Sequence, residues 1–293
     1  MMPCMKYDLA ISDKTSSSWS LRGWLLFAKF NIPVTCHSAK MYHEEFAQML
    51  SSFQPARLVP AMKFDGIVVT DTLAMAETLA EQNPDANMWP ADPAARALAR
   101  SLCAEMHAGF GAMRNDCPMN LRRYYADFQP TKDVQADAKR AEYLWGLARS
   151  EFGASGPWLF GDYSIADVFY APLATRFATY NLPRNPVSDA YIHAHLADEK
   201  IRQWRAMGSA QNYSQPGYDK DLPSGDWPGP ALIAAKAVKT GPAENANCPY
   251  SGKKVTDFLE VDGRVFGMCN AFCRNKTLAD PAAWPEFLAI FQK

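Results

Sequence analysis

The chain has 293 residues, 48% of them hydrophobic and 21% charged, with a net charge of −1 at pH 7. Those are globular values and enough chain for one large or two ordinary domains with sizeable cores. The near-zero charge gives no basis for a nucleic-acid or anionic-membrane partner.

In chain order, Tyr7 to Ile11 reads as a first strand, and Lys6 just before it and Asp8 within it argue against a secretory signal. Ser20 to Phe30 reads as a helix with Leu21, Trp24, Leu25 and Ala28 on one face. Lys29 and Asn31 end its apolar stretch far short of a membrane span. An extended run follows through Pro33, Val34 and Thr35. Leu58 to Glu81, LVPAMKFDGIVVTDTLAMAETLAE, then reads as a short strand, an Asp-Gly turn, a second strand and a helix opened by Asp71-Thr72. Leu73, Ala76, Leu79 and Ala80 recur along that helix at helical spacing.

Asn83 to Pro93 is a turn-rich connector with three prolines. From Ala94 to about Met207 the pattern is all-helical, with a long alanine-rich helix over 94–113, a second over 132–152, and a third after Ser164-Ile165-Ala166-Asp167, which has capping-box spacing. Residues 211–247 are rich in proline and glycine and read as a linker with a short helix over 231–238. His193 and His195 lie in a polar stretch and read as surface residues.

The last segment, 248–293, is a separate module. Cys248-Pro249-Tyr250-Ser251-Gly252 reads as a knuckle, Asp262-Gly263 as a hairpin turn, and Trp284, Phe287, Leu288 and Phe291 as one face of a final helix expected to dock on the rest of the chain. Cys248, Cys269 and Cys273 are three potential ligands where a closed zinc site needs four. Unless Asp257 or Asp280 supplies the fourth, no metal is expected and the thiols read as buried small hydrophobes. Seven cysteines, odd in number and scattered, suit free thiols in a reducing cytoplasm.

The Leu58–Glu81 stretch, with the serine run Ser16-Ser17-Ser18 ahead of the first helix, resembles the glutathione-binding half of cytosolic glutathione transferases, whose pattern is roughly V-P-x-L…D-G…[ED]-S-L-A-I-x-x-Y-L-A-E. Glu105 to Arg123, EMHAGFGAMRNDCPMNLRR, is similar to runs in a bacterial subgroup of that family. The resemblance implies an α/β thioredoxin-like domain over 1–82, an all-α domain over 94–210, a linker over 211–247 and the extra module over 248–293. It also implies a cytoplasmic homodimer that binds glutathione and conjugates it to a hydrophobic electrophile. A glutathione-dependent isomerase or dehalogenase, or a non-catalytic binding protein of the same fold, are the alternatives.

By the same resemblance Ser17 holds the glutathione sulfur as thiolate, since the isomerase-like motif S-S-C-x-x-R lines up with Ser17 to Arg22. Trp19 stands where that motif has cysteine. Tyr7, the competing sulfur donor, opens the first strand rather than following it, and Cys4 and Cys36 are misplaced for a nucleophile. Val59, before a cis Pro60, is expected to bind the cysteinyl backbone, and Asp71 and Thr72 the γ-glutamyl end. Lys40 or Arg57 is the candidate cation for the glycyl carboxylate. Met106, Phe110 and Met113 are candidates for an apolar substrate wall, with core packing as the competing role.

Overall fold

In the computed structural model, which describes residues 5–153, 155–211, 213, 215 and 217–293, the apolar run at the N-terminus forms β1 (Tyr7–Ile11) and the serine run leads into α1 (Ser18–Ala28). Cys4 lies outside the described residues. Next come β2 (Val34–Ser38), α2 (Glu44–Ser51), β3 (Ala61–Phe64), β4 (Ile67–Val69) and α3 (Thr72–Gln82). The sheet order is β2-β1-β3-β4, with β1 parallel to β2 and antiparallel to β3. This is the mixed sheet of a thioredoxin-like domain.

The β3–β4 turn is Asp65-Gly66, both at positive φ, as a two-residue turn between right-twisted strands requires. Leu21, Leu25 and Leu26 of α1 and Met75, Ala76 and Leu79 of α3 are fully buried, with Leu9 and Met62 of the sheet. Gly23, mid-helix in α1, has a packing reason. A Cβ there would lie 2.7 Å from Cβ and 2.8 Å from Cγ of Pro60.

The helical part comprises α4 (Pro93–Ala108), α5 (Gly111–Asp116), α6 (Lys132–Phe152), α7 (Ile165–Thr179) and α8 (Pro186–Ala197). The single helix expected over 94–113 is broken at Gly109. There Phe110 adopts φ 58° and buries its ring, so α5 leaves in a new direction. Every residue of α7 is buried, as befits a central helix that packs on both α1 and α4. Its start is closed as the spacing predicts, since the Asp167 carboxylate accepts from the Ser164 N–H at 2.9 Å and the Leu159 N–H at 3.0 Å.

His195 corrects the sequence reading. It is fully buried against Tyr191, Trp158 and Tyr163, and neither ring nitrogen has a hydrogen-bond partner. Its place on the inner face of α8 outweighs its polar sequence neighbours. His193, two residues earlier, is exposed. Part of the expected linker also has a fixed place. Asp219 accepts from Asn120 Nδ2 and Arg123 Nε, both at 2.9 Å, and the Lys220 N–H donates to Tyr125 Oη at 3.0 Å.

The chain divides into two compact units, Met1–His195 with Gln215–Pro228, and Leu196–Ser214 with Gly229–Lys293. The second unit holds α9 (Glu199–Ala210), β5 (Ala235–Val238), β6 (Asp257–Val261), β7 (Arg264–Met268), α10 (Ala271–Ala279) and α11 (Pro285–Phe291). β5, β6 and β7 form an antiparallel sheet, and Asp262-Gly263 turns β6 into β7. The helix expected over 231–238 is instead the edge strand β5. Its Ala235 to Val238 pair with Val261 to Phe258, and that pairing overrides the helix preference of alanine and lysine. α9 packs on α10, and Arg202 grips Asp280 through two bonds of 2.8 and 2.6 Å. Trp284, Phe287, Leu259 and Phe266 form the core of this unit with Ala206 of α9.

Candidate functional site

The first helix begins where the serine run ends. Ser17 is the N-cap of α1; its hydroxyl accepts the Ser20 N–H at 3.2 Å and donates to Ser20 Oγ at 2.9 Å. The last helix of the same domain begins in a similar way. Asp71 is the N-cap of α3, its Oδ1 accepting the Leu73 N–H at 2.8 Å and the Ala74 N–H at 3.3 Å. Both N-termini open on one cleft of about 590 Å³, and Ser16, Ser17, Ser18, Asp71 and Thr72 line it. A helix N-terminus presents unpaired N–H groups and the positive end of the dipole, so two of them make this cleft an anion-binding environment.

Between the two stands the Val59–Pro60 segment, whose peptide bond is cis and which also lines the cleft. Thr72 Oγ1 is buried and has no hydrogen-bond partner. A buried hydroxyl without a partner is unfavourable by about 1–3 kcal/mol, which makes this atom a natural contact for a ligand. Asp71 Oδ2 lies 3.3 Å from His107 Nε2, and burial lowers the basicity of that imidazole despite the carboxylate beside it.

The cations at the cleft are not the expected ones. Lys40 and Arg57 are exposed and do not line it. Arg114 of α5 and Arg176 of α7 do. Arg176 donates to the Cys117 and Pro172 carbonyls at 2.8 and 3.0 Å and reaches Ser18 Oγ at 3.5 Å. Arg114 donates to the His107 carbonyl at 3.0 Å. Behind them Arg22 is buried with its guanidinium 3.9 Å over the Trp19 ring, and its Nε and Nη1 have no partner. Burial pushes its pKa down to about 9, with Arg114 and Arg176 adding repulsion, and burial takes Arg176 to about 10. Among the described residues none of the three arginines is ion-paired, so the inner wall of the cleft carries positive charge that a bound anion would neutralise.

The sequence marks one of these arginines as unusual without placing it at the cleft. Arg176 is the one basic residue in the largely apolar α7, and charged side chains are rarely buried without a purpose. Arg114, Asn115 and Pro118, all in the Glu105–Arg123 stretch, line the cleft, and so does Tyr218 from the expected linker. Tyr42 and Leu58, 83% and 75% exposed, form an apolar rim. Met106, Phe110 and Met113 are instead buried in the helical core. Tyr7 lies away from the cleft, its hydroxyl donating to Gln82 Oε1 at 2.9 Å.

A second constellation lies in the other unit, where the Sγ atoms of Cys248, Cys269 and Cys273 all lie within 4.8 Å of one another. No helix among the described residues is long and apolar enough to cross a membrane.

Residues 16–82 match the family described as glutathione S-transferase, N-terminal domain. A probable maleylacetoacetate isomerase from Caenorhabditis elegans is 29% identical over 205 residues, which cover 69% of this chain and 92% of that protein. The maleylacetoacetate isomerase of Rattus norvegicus is 28% identical over 175 residues, 59% of this chain and 79% of that one. A crystal structure of a glutathione transferase homologue from Burkholderia gl BGR1, with bound glutathione, has a TM-score of 0.52 at 19% identity, covering 69% of this chain and 97% of that one. The fold is therefore that of the glutathione transferases, a thioredoxin-like domain followed by a helical one.

Proposed function

We propose that the cleft binds glutathione, stabilises its thiolate beside Ser17, and serves a glutathione-dependent isomerase whose substrate is an unsaturated acid. The observation that carries this reading is the meeting of two helix N-termini and two unpaired arginines at one cleft. The partnerless Thr72 hydroxyl suits the γ-glutamyl carboxylate and Asp71 Oδ2 the α-ammonium beside it. The Val59 backbone suits the cysteinyl portion, which it can pair as an added strand does.

Ser17 can exchange its Ser20 Oγ contact for the ligand sulfur, and the N-terminus of α1 adds its dipole. A free thiol has a pKa of about 8.5, and a hydroxyl with a helix N-terminus can lower it by roughly one to two units. When bound, glutathione supplies a thiolate that adds reversibly to a conjugated double bond, so rotation and expulsion of the same thiolate leave it unconsumed. The protein's part is to hold that sulfur ionised and to grip the acid with Arg114 and Arg176.

The names of the worm and rat relatives support the isomerase over the conjugating transferase. Trp19, where the isomerase-like motif has cysteine, instead carries the Arg22 and Arg114 guanidinium groups over its ring. Conjugation is the second reading, favoured by the apolar rim of Tyr42 and Leu58. A homodimer in the cytoplasm belongs to the same proposal. Assays with maleylacetoacetate and with 1-chloro-2,4-dinitrobenzene, each with glutathione, separate the readings. The expected result is isomerisation with no net loss of glutathione. Conjugation without isomerisation would replace the isomerase by the transferase.

A further inference from the structure

The three cysteines of the second unit arrive from separate pieces of backbone, each fixed independently of its thiol. Cys248 opens a tight turn in which its N–H donates to the Lys253 carbonyl at 2.8 Å and its carbonyl accepts the Gly252 N–H at 2.9 Å. Gly252 closes that turn at φ +69°. Cys269 follows β7 directly. Cys273 sits in the first turn of α10, its N–H held by the N-cap Asn270 Oδ1 at 2.8 Å. Their convergence is therefore a property of three local structures brought together by the fold.

Packing alone does not account for the cluster. Cys248 is buried, but Cys269 and Cys273 are only partly so. Their surroundings are polar and donate toward sulfur. Ser251 Oγ reaches Cys269 Sγ at 3.2 Å and Asn270 Nδ2 reaches it at 3.3 Å. The backbone N–H groups of Cys269 and Tyr250 face the Cys248 sulfur. Polar groups that donate toward clustered sulfurs suit thiolates, the form in which cysteine holds a metal.

The structure leaves the ligand count at the three thiols read from the sequence. Both carboxylates that might complete a closed site are engaged elsewhere, Asp257 by Arg274 at 3.1 Å and Asp280 by Arg202. Among the described residues the cluster offers three sulfurs and no fourth protein ligand. With metal–sulfur bonds of about 2.3 Å, tetrahedral geometry sets sulfurs roughly 3.8 Å apart. Cys269 and Cys273 are 3.9 Å apart, and no pair exceeds 4.8 Å, so a shift of under about 1 Å brings all three to bonding distance.

We propose that Cys248, Cys269 and Cys273 form a site for one thiophilic d¹⁰ ion, Zn(II) or Cu(I), held by three thiolates with a further coordination position open. Soft thiolates select these ions over hard cations, and an open position distinguishes the site from a closed structural one. On binding, each ligating thiol releases its proton to solvent, so uptake strengthens with rising pH. This reading replaces the expectation of three inert thiols, which rested on counting ligands without knowing where the sulfurs lie.

The test uses the full chain, reduced and freed of metal, then loaded separately with Zn(II) and, without oxygen, with Cu(I). After gel filtration against a competing chelator, wild type should retain about one ion per chain of at least one kind, and Cys36→Ser should match it. Cys269→Ser and Cys273→Ser, both at partly exposed positions where folding tolerates serine, should each retain less than about a tenth of that. Which ion is retained identifies the occupant. Retention of neither ion by wild type, or equal retention in both serine variants, overturns the proposal.

Discussion

Thr72 Oγ1 is the atom of the cleft with the most pointed chemistry, because it is buried, partnerless and at the start of a helix. Removing it without changing shape isolates its contribution. Thr72→Val should weaken glutathione binding by about 1–3 kcal/mol while leaving thermal stability level or slightly raised, because no protein bond is lost. Asp71→Asn should weaken binding to a similar degree. It keeps an oxygen to cap α3 but gives up the charge that faces His107. Calorimetric titration of both variants checks this, and affinities within twofold of wild type in both would move the γ-glutamyl contact elsewhere. The hydroxyl was legible from the Asp-Thr pair ahead of an apolar helical run. The arginines were not, because Arg114 follows a helix break that periodicity does not reveal. Arg176 lies more than a hundred residues from the serines it faces.

The elements most readable from sequence are those with strong local signals. The Asp65-Gly66 and Asp262-Gly263 turns, the strands they join and the capped starts of α3 and α7 all form where their residues predict. α2 went unread although Phe46, Met49 and Leu50 recur at helical spacing and pack together, because eight residues carry little more than one repeat of that period. β5 was misread because its alanines prefer a helix and only a partner strand holds them extended. One element-level device is a close contact rather than a pattern. Gly23 lets α1 approach Pro60 and thereby sets the Val59 backbone against the cleft. Gly23→Ala should destabilise the protein by about 1–3 kcal/mol, since the proline ring cannot yield, and should weaken glutathione in step. Gly146 in α6 has nothing within 4 Å of an added Cβ. Gly146→Ala should therefore stabilise by roughly 0.5–1 kcal/mol, and thermal melts of the pair test both signs.

Across the whole chain, two buried groups set opposing pH dependences. Burial, with Lys29 adding repulsion, takes the His195 pKa from its ordinary 6.5 down to about 3. The stability it contributes is complete above pH 6.5 and is lost as pH falls from there toward 3. Burial takes Asp167 up to about 6, so its contribution is present below its ordinary 3.8 and is lost as pH rises through 6. His195→Phe, which keeps an aromatic ring among Tyr191, Trp158 and Tyr163, should resist acidification from pH 7 to 5 better than wild type by about 2 kcal/mol. Denaturant melts at the two pH values decide it, and parallel losses in both proteins would remove His195 from the account.

The central claim is that the cleft binds glutathione and holds its sulfur ionised beside Ser17, and thiolate absorbance of bound glutathione titrated against pH tests it most directly. The account predicts a midpoint roughly one to two units below the ordinary thiol value of about 8.5, shifted back up by about one unit in Ser17→Ala. Saturated protein whose bound glutathione titrates as it does free in water would contradict it.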